Sequence, residues 1–443
     1  MTSTPENFEA RDVQRHPVGR ARGPLDAVVI VPGSKSIANR ALICATLAHG
    51  SSVLINVPSG DDTEAMIDCV SRLGAEVSRR AGADATLTIV GTGGALTAGP
   101  LALHTRLAGT TSRFVTALCA LGLGRYEIDG FDPLRARPMA PLHQALADLG
   151  VGVHPTREPG HLPVSIDAVD RIAGSPRGAV LVRGDISSQY ISALMLIAPY
   201  LPGGLRIELL TSLVSRSYVL ITAAVMAAFG VGDVSIDDHS INVAPGAYAA
   251  CRYAIEPDAS SASYPLAAAA ICGGAVRVVG LGSPSLQGDA AFADVLASMG
   301  CGVTRDGQST MVSRDGDLRG ITIDMSDLSD LVPTLAVVAP FASTATEITG
   351  VGFIRSKESD RLGDLAFELR RCGIDAVEMD DGLVVHPGFG EGAALATHHD
   401  HRLAMAFGVL GLALGGVEVI EPEVVSKSWP DFWSALESIR ATS

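Results

Sequence analysis

One pattern, repeated along the chain, limits what it can fold into. An amphipathic helix that stops at a glycine, followed by a short strand, occurs at 64–73 before Gly74, 141–149 before Gly150, 221–229 before Gly230, 291–299 before Gly300 and 365–372 before Gly373. A version without the glycine, 432–440, comes last. Each glycine stands where a helix C-terminus favours a left-handed residue. Successive glycines lie about 70–80 residues apart, the mark of a structural repeat. Between these helices lie segments that are apolar nearly all round: 41–48, 114–123, 191–201, 266–271, 334–341 and 403–414. A helix without a polar face is buried. Six units therefore fill the chain, each with one buried helix, one half-exposed helix and short strands. Most units could not cover their own apolar faces. The expected fold is α/β, with three units around each of two internal helix bundles and the strands outside.

The polar residues gather at the heads of the buried helices. Pro32-Gly33-Ser34-Lys35-Ser36-Ile37-Ala38-Asn39-Arg40 follows the apolar run Ala27-Val28-Val29-Ile30-Val31 and leads into the first of them. It lacks the glycine spacing of a P-loop. The other heads are Gly109-Thr110-Thr111-Ser112-Arg113, Ser187-Ser188-Gln189-Tyr190, Asp258-Ala259-Ser260-Ser261, Asp330-Leu331-Val332-Pro333 and Asp400-His401-Arg402. Helix capping accounts for Ser, Thr and Asp at such places. It does not account for Lys35, Arg113 and Arg402, because a cation opposes the helix dipole there unless an anion lies between. Three violations at one phase of a repeat predict one convergent site for an anionic ligand. Further cations stand at Arg135 and Arg137, in Arg355-Ser356-Lys357-Glu358-Ser359-Asp360-Arg361, and at Lys427. For Arg355, Asp360 and Arg361 a solvated charge run is the competing explanation.

Composition narrows the function classes. The chain has 443 residues, 47% of them hydrophobic, enough for two sizeable cores. Lys+Arg 33 against Asp+Glu 48 gives a net charge of −15. No nucleic-acid partner is expected, since that needs a clustered basic face. Any anion must be held by cations concentrated locally inside an acidic protein. The seven cysteines form no CxxC pair and fall mostly in apolar runs, which reads as reduced core thiols in a cytoplasmic protein. Residues 1–22 lack the apolar segment of a signal peptide, and no uninterrupted apolar run is long enough to span a membrane. A soluble monomer is expected.

The motifs resemble, in order and from about Pro24 onward, those of the EPSP synthase (3-phosphoshikimate 1-carboxyvinyltransferase) family. They are Pro-Gly-Ser-Lys-Ser…Asn-Arg at 32–40, Ala-Gly-Thr…Arg at 108–113, Arg-Pro at 137–138, Ser-Ser-Gln-Tyr at 187–190 and Asp-Ala-Ser-Ser-Ala-Ser-Tyr at 258–264. Lys-Glu-Ser-Asp-Arg-Leu at 357–362, Asp-His-Arg-Leu-Ala-Met at 400–405 and Lys427 complete the set. The resemblance implies a two-domain enolpyruvyl-transferase fold, each domain a threefold βαβαββ assembly. The domains would be 34–256, and 1–33 joined to 257–443, with the site in the cleft between them.

It also implies a reaction: transfer of the enolpyruvyl group of phosphoenolpyruvate (PEP) to the 5-hydroxyl of shikimate 3-phosphate by addition and elimination, releasing phosphate. By resemblance Lys35, Arg113, Arg137, Arg361, Arg402 and Lys427 would hold PEP. Gly109 would leave room in its phosphate pocket and for the inhibitor glyphosate. Ser36, Arg40, Ser187, Ser188, Ser215 and Lys357, with a looser match at Tyr218, would hold shikimate 3-phosphate, Lys35 and Gln189 would touch both substrates, and Lys35 would join Asp330 and Glu358 as a catalytic residue. Asp330 corresponds to the base that contacts the shikimate hydroxyls. Glu358 corresponds to the proton donor, a role that calls for a raised pKa. His401 is either a hydrogen-bond donor or an ordinary structural histidine. No cofactor and no metal are expected. Phe353 stands where the family often has Asn, Glu or His, and Leu107 and Phe114 also depart from the common pattern. Phe353 keeps open a related transferase with a different acceptor alcohol. A transferase acting on UDP-N-acetylglucosamine lacks these serine motifs, and a non-catalytic phosphate binder would not need Asp330 and Glu358 together.

Overall fold

Five of the six repeat units build a four-stranded sheet of the same order. In the computed structural model, which describes residues 14–79, 85–168, 179–388 and 390–443, the second unit is the simplest to follow. Strand Leu101–His104 leads into buried helix Gly109–Cys119, then strand Gly124–Asp129, helix Ala140–Asp148, and strands Gly152–Pro155 and Val164–Ala168. The first two strands are parallel; Val164–Ala168 is antiparallel to both Gly124–Asp129 and Gly152–Pro155. The third and fifth units repeat this order with contiguous chain. The sixth sheet has three strands. Ala394–Ala396 is parallel to Glu418–Ile420, and Arg15–Pro17, from the opposite end of the sequence, closes it antiparallel. Residues 1–13 of the N-terminal expectation lie outside the described residues.

The first and fourth units exchange their leading strands. Arg252–Ala254 pairs with Ser51–Ile55 to complete the first sheet, and Leu25–Val29 pairs with Gly274–Val279 to complete the fourth. The chain therefore passes twice between the two groups of units, through Pro32-Gly33 and through Pro257-Asp258. These connections run side by side. Ser34 N–H donates to the Glu256 carbonyl and Asp258 N–H to the Pro32 carbonyl, each at 2.8 Å, with Gly33 bridging Pro257. Only glycine fits at position 33, where a Cβ would lie 1.8 Å from the Asn56 carbonyl oxygen.

Apolar side chains form two separate cores. One is drawn from Ile37 to Ile255, the other from Val18 to Val31 together with Ala259 to Ile439. Helices Lys35–Leu47, Gly109–Cys119 and Ser188–Ile197 pack on one another inside the first; Ala259–Cys272, Val332–Val338 and His401–Leu414 do so inside the second. The sheets lie outside, so a strand such as Leu25–Val29 alternates strictly between buried and exposed residues. The buried helices begin earlier than their apolar runs suggest, at Lys35 rather than 41 and at Ala259 rather than 266. Their opening turns carry polar residues facing the site, which conceals them from an apolar pattern. Among the described residues no helix is long and apolar enough to cross a membrane.

Candidate active site

Four of the six buried helices bring their first residues, and a fifth the turn just before it, to one cavity between the two cores. Lys35 and Ser36, Gly109 and Thr110, and Ser188 and Gln189 line it from one side, and Asp330, His401 and Arg402 from the other. The sixth helix is capped by Asp258, which accepts from Ser261 N–H at 2.7 Å and from Lys35 N–H at 3.2 Å. Its cap thus ties the two helices that follow the crossings. Asp400 and Ser187 also cap their helices, accepting from Arg402 N–H and Gln189 N–H.

Of the cations predicted for the anionic site, Lys35, Arg137, Arg361 and Arg402 line the cavity, and most of the set share a few carboxylates. Lys35 Nζ and Lys427 Nζ share Asp62, at 2.9 and 3.2 Å. Lys427 Nζ also donates to the Leu107 carbonyl at 2.6 Å. Arg137 reaches Glu358 at 3.2 Å. Arg361, 1% exposed, donates to Glu358 at 2.7 Å, to Asp330 at 2.9 Å and to Asp400 at 2.6 Å. Arg402 reaches Asp330 at 2.6 Å and Lys357 lies 3.8 Å from it. Arg113 is the exception, for it is buried and makes no ion pair among the described residues. Its guanidinium donates only to neutral acceptors, including the carbonyls of Gly109 and Pro138. Burial first, then the Arg137 charge, brings its pKa down to about 10. Arg40 is likewise held by neutral oxygens of Ser36, Thr222, Ser192 and Tyr218. Two guanidiniums without counter-charge leave an unmet demand for anions.

The acid–base groups differ in part from expectation. Burial alone would raise Asp330, but Arg402, Lys357 and Arg361 outweigh it and hold the carboxyl well below its ordinary range. Glu358 is also held down. Burial pushes it up, yet Arg137, Arg361 and Lys427 prevail, so it is ionised rather than raised as its role requires. The sequence could not reveal this, because two of those three cations lie far away along the chain. His401 is 1% exposed, neither ring nitrogen makes a hydrogen bond although Nδ1 lies 3.6 Å from Asp400, and burial followed by the charges of Lys35 and Arg402 keeps it neutral.

Ser36, Arg40, Ser188, Gln189, Tyr218, Lys357 and Glu358 all line the cavity. Ser187, Ser215, Arg113 and Lys427 do not. Ser215 hydrogen-bonds to the Ser326 carbonyl and Ser329, across the two cores. Arg355 and Asp360 pair with each other, Arg355 also with Glu378, away from the cavity, so in that run the solvated-face explanation fits these two and not Arg361. Arg135 pairs with Asp129 and Asp132. Phe353 presents its ring 5.8 Å from Lys357 Nζ, a cation–π contact in place of a polar one. A Cβ on Gly109 would come within 2.5 Å of Arg137 and 2.9 Å of Arg113, so glycine there lets both guanidiniums approach. Sequence reasoning missed Asp62, Asp289 and Asp400 as members of this network. Asp62 looks like any acidic residue in a first helical turn, and its partners are distant in sequence. Among the described residues no group of three or more His, Cys, Asp or Glu could hold a metal.

Comparison with known proteins gives a consistent result. Residues 20–436 match the family model described as EPSP synthase (3-phosphoshikimate 1-carboxyvinyltransferase). A 3-phosphoshikimate 1-carboxyvinyltransferase of Nostoc sp. is 42% identical over 93% of this chain and 96% of its own. One from Methanoculleus marisnigri is 41% identical over 94% and 97%. Among solved structures, an EPSP synthase from Acinetobacter baumannii superposes with a TM-score of 0.80 at 24% identity, covering 96% of this chain and 98% of that one. The enolpyruvyl transferase NikO from Streptomyces tendae does so with 0.73 at 18%, over the same shares. These last two likenesses concern the fold.

Proposed function

The chain belongs to the EPSP synthase (3-phosphoshikimate 1-carboxyvinyltransferase) family, and on that premise we propose how its residues perform the transfer. The protein is an enolpyruvyl transferase of the shikimate route to aromatic amino acids. The observation that carries the residue assignment is the convergence of five cations, Arg137, Lys357, Arg361, Arg402 and Lys427, on the two carboxylates Asp330 and Glu358, inside a chain of net charge −15. Arg113, Arg137, Arg361 and Arg402, with Lys35 and Lys427, hold the phosphate and carboxylate of PEP, since planar guanidiniums bind both bidentately. Ser36, Arg40, Ser188 and Lys357 hold shikimate 3-phosphate, Gln189 lies between the substrates, and Ser187 and Ser215 support from outside the lining. The two cores act as domains, 34–256 and 1–33 with 257–443, that close on the substrates.

In the addition, the Asp330 carboxylate takes the proton of the attacking hydroxyl while Glu358 delivers one to the PEP methylene, giving a methyl group and a tetrahedral carbon. In the elimination, a methyl proton returns to Glu358, the carbon–oxygen bond to phosphate breaks, and the proton on Asp330 leaves with the phosphate. The cations stabilise charge as it develops. Glu358 must first gain a proton. Substrate anions that engage Arg137, Arg361 and Lys427 relieve the charges now holding it down, which raises its pKa toward the value a donor needs.

The test is phosphate release by the purified protein given PEP, with and without shikimate 3-phosphate, in EDTA. Release that needs both substrates and is blocked by glyphosate competitively with PEP is the expected result. PEP binding without release would point to a different acceptor alcohol.

A further inference from the structure

Tyr218 carries one hydroxyl proton, and two carboxylates compete for it. Its Oη lies 3.2 Å from Asp330 Oδ2 and 3.3 Å from Asp289 Oδ2. A phenol donates one hydrogen bond, so both cannot accept at once. Asp289 is 5% exposed and belongs to the short turn Gly288–Ala291 of the second core, whereas Tyr218 comes from a helix of the first. It does not line the substrate cavity. It lines a smaller one behind Tyr218, with Ser34, Ser217 and Gln287. Ser260 Oγ donates to the same Oδ2, and among the described residues no Lys or Arg pairs with it.

We propose that Asp289 is a positioning residue: by gaining or losing a proton it turns the Tyr218 hydroxyl toward or away from Asp330 and so sets the strength of that base. The inference rests on Asp330 being the base. With Asp289 neutral, its own O–H donates to Tyr218 Oη and the phenol proton goes to Asp330, which stabilises that carboxylate and weakens it as a base. With Asp289 ionised, the phenol proton turns to Asp289. Asp330 then loses a hydrogen bond and faces a second negative charge, and its proton affinity rises. Burial, then the charge of Asp330, holds Asp289 up at about 6, with Ser260 and Arg402 pulling it down and Asp258 pushing it up. These, with Tyr218, are the groups facing it from the surrounding elements.

The experiment measures kcat and KM from pH 5 to 8 for the wild type and Asp289→Asn, which keeps the side-chain shape but cannot ionise. Phosphate monoesters titrate near pH 6 with either protein, so the quantity read is the ratio of the two kcat values. That ratio should rise roughly threefold to tenfold across the range, one unit of base strength being tenfold at most, while the KM ratios stay flat. A constant ratio would overturn the proposal. Tyr218→Phe lacks the shared hydroxyl and should lose most of the same step, leaving only the direct effect of the Asp289 charge; a step that survives at full size also overturns it. A wild-type protein with no turnover at any pH would instead strike the reaction assignment itself.

Discussion

Asp330 accepts from Arg361, Arg402 and Tyr218 and lies near Lys357, so its carboxylate is both fixed in place and kept ionised. Asp330→Asn should lower turnover about 10²–10⁴-fold, the usual worth of a general base. PEP affinity, read by calorimetry, should change little, because the cations assigned to PEP remain. Near-normal turnover would remove Asp330 from the base role. The cationic half of this site was legible in the sequence because Lys35, Arg113 and Arg402 break a local rule at a repeated phase. The carboxylate half was only partly legible. Asp62 and Asp400 break no rule where they stand, since an acidic residue at a helix start is ordinary, and their partners Lys427 and Arg361 become neighbours only in three dimensions. The ionised state of Glu358 was hidden for the same reason.

Helix Ala140–Asp148 carries His143 toward the first core, 6% exposed and with neither ring nitrogen partnered. Burial, then the charges of neighbouring His161 and Arg113, lowers its pKa to about 4. Its folded value lies below its unfolded value of 6.5, so its contribution is fully present above pH 6.5 and is lost as pH falls toward 4. That loss reaches about 2 kcal/mol by pH 5 and about 3 kcal/mol in full. Urea unfolding at pH 7 and pH 5 should show the wild type losing stability with a steeper slope than His143→Leu; parallel slopes would argue against this account. The helices themselves were well marked, with 432–440 matching Phe432–Arg440. Their ends were less so. The apolar run 191–201 ends as helix at Ile197 and continues as a tighter turn, Ala198–Tyr200, where Pro199 has no N–H to continue the ladder.

At the scale of the whole molecule, the two halves are joined by crossings that leave no room for error. Gly33→Ala would drive a methyl group into the Asn56 carbonyl, and backbone on both sides must yield. A loss of about 1–3 kcal/mol or more is expected, read as a lower urea midpoint; an unchanged midpoint would mean the crossing is softer than its geometry. Six units were countable from the repeat alone, but the exchange of leading strands between the first and fourth entered only through the family resemblance, because neither Leu25–Val29 nor Arg252–Ala254 carries a local signal of which sheet it joins. That exchange bears on how the protein is born. Leu25–Val29 leaves the ribosome early, yet its partner Gly274–Val279 is encoded about 250 residues later, a wait on the order of ten seconds to a minute at typical synthesis speeds. Arg15–Pro17 waits longer still, for Glu418–Ile420. The first core, by contrast, has every strand it needs once Arg252–Ala254 has emerged. Synthesis therefore favours a folded first half trailing an unpaired N-terminal edge strand, and chaperone demand in the cell should fall on that interval.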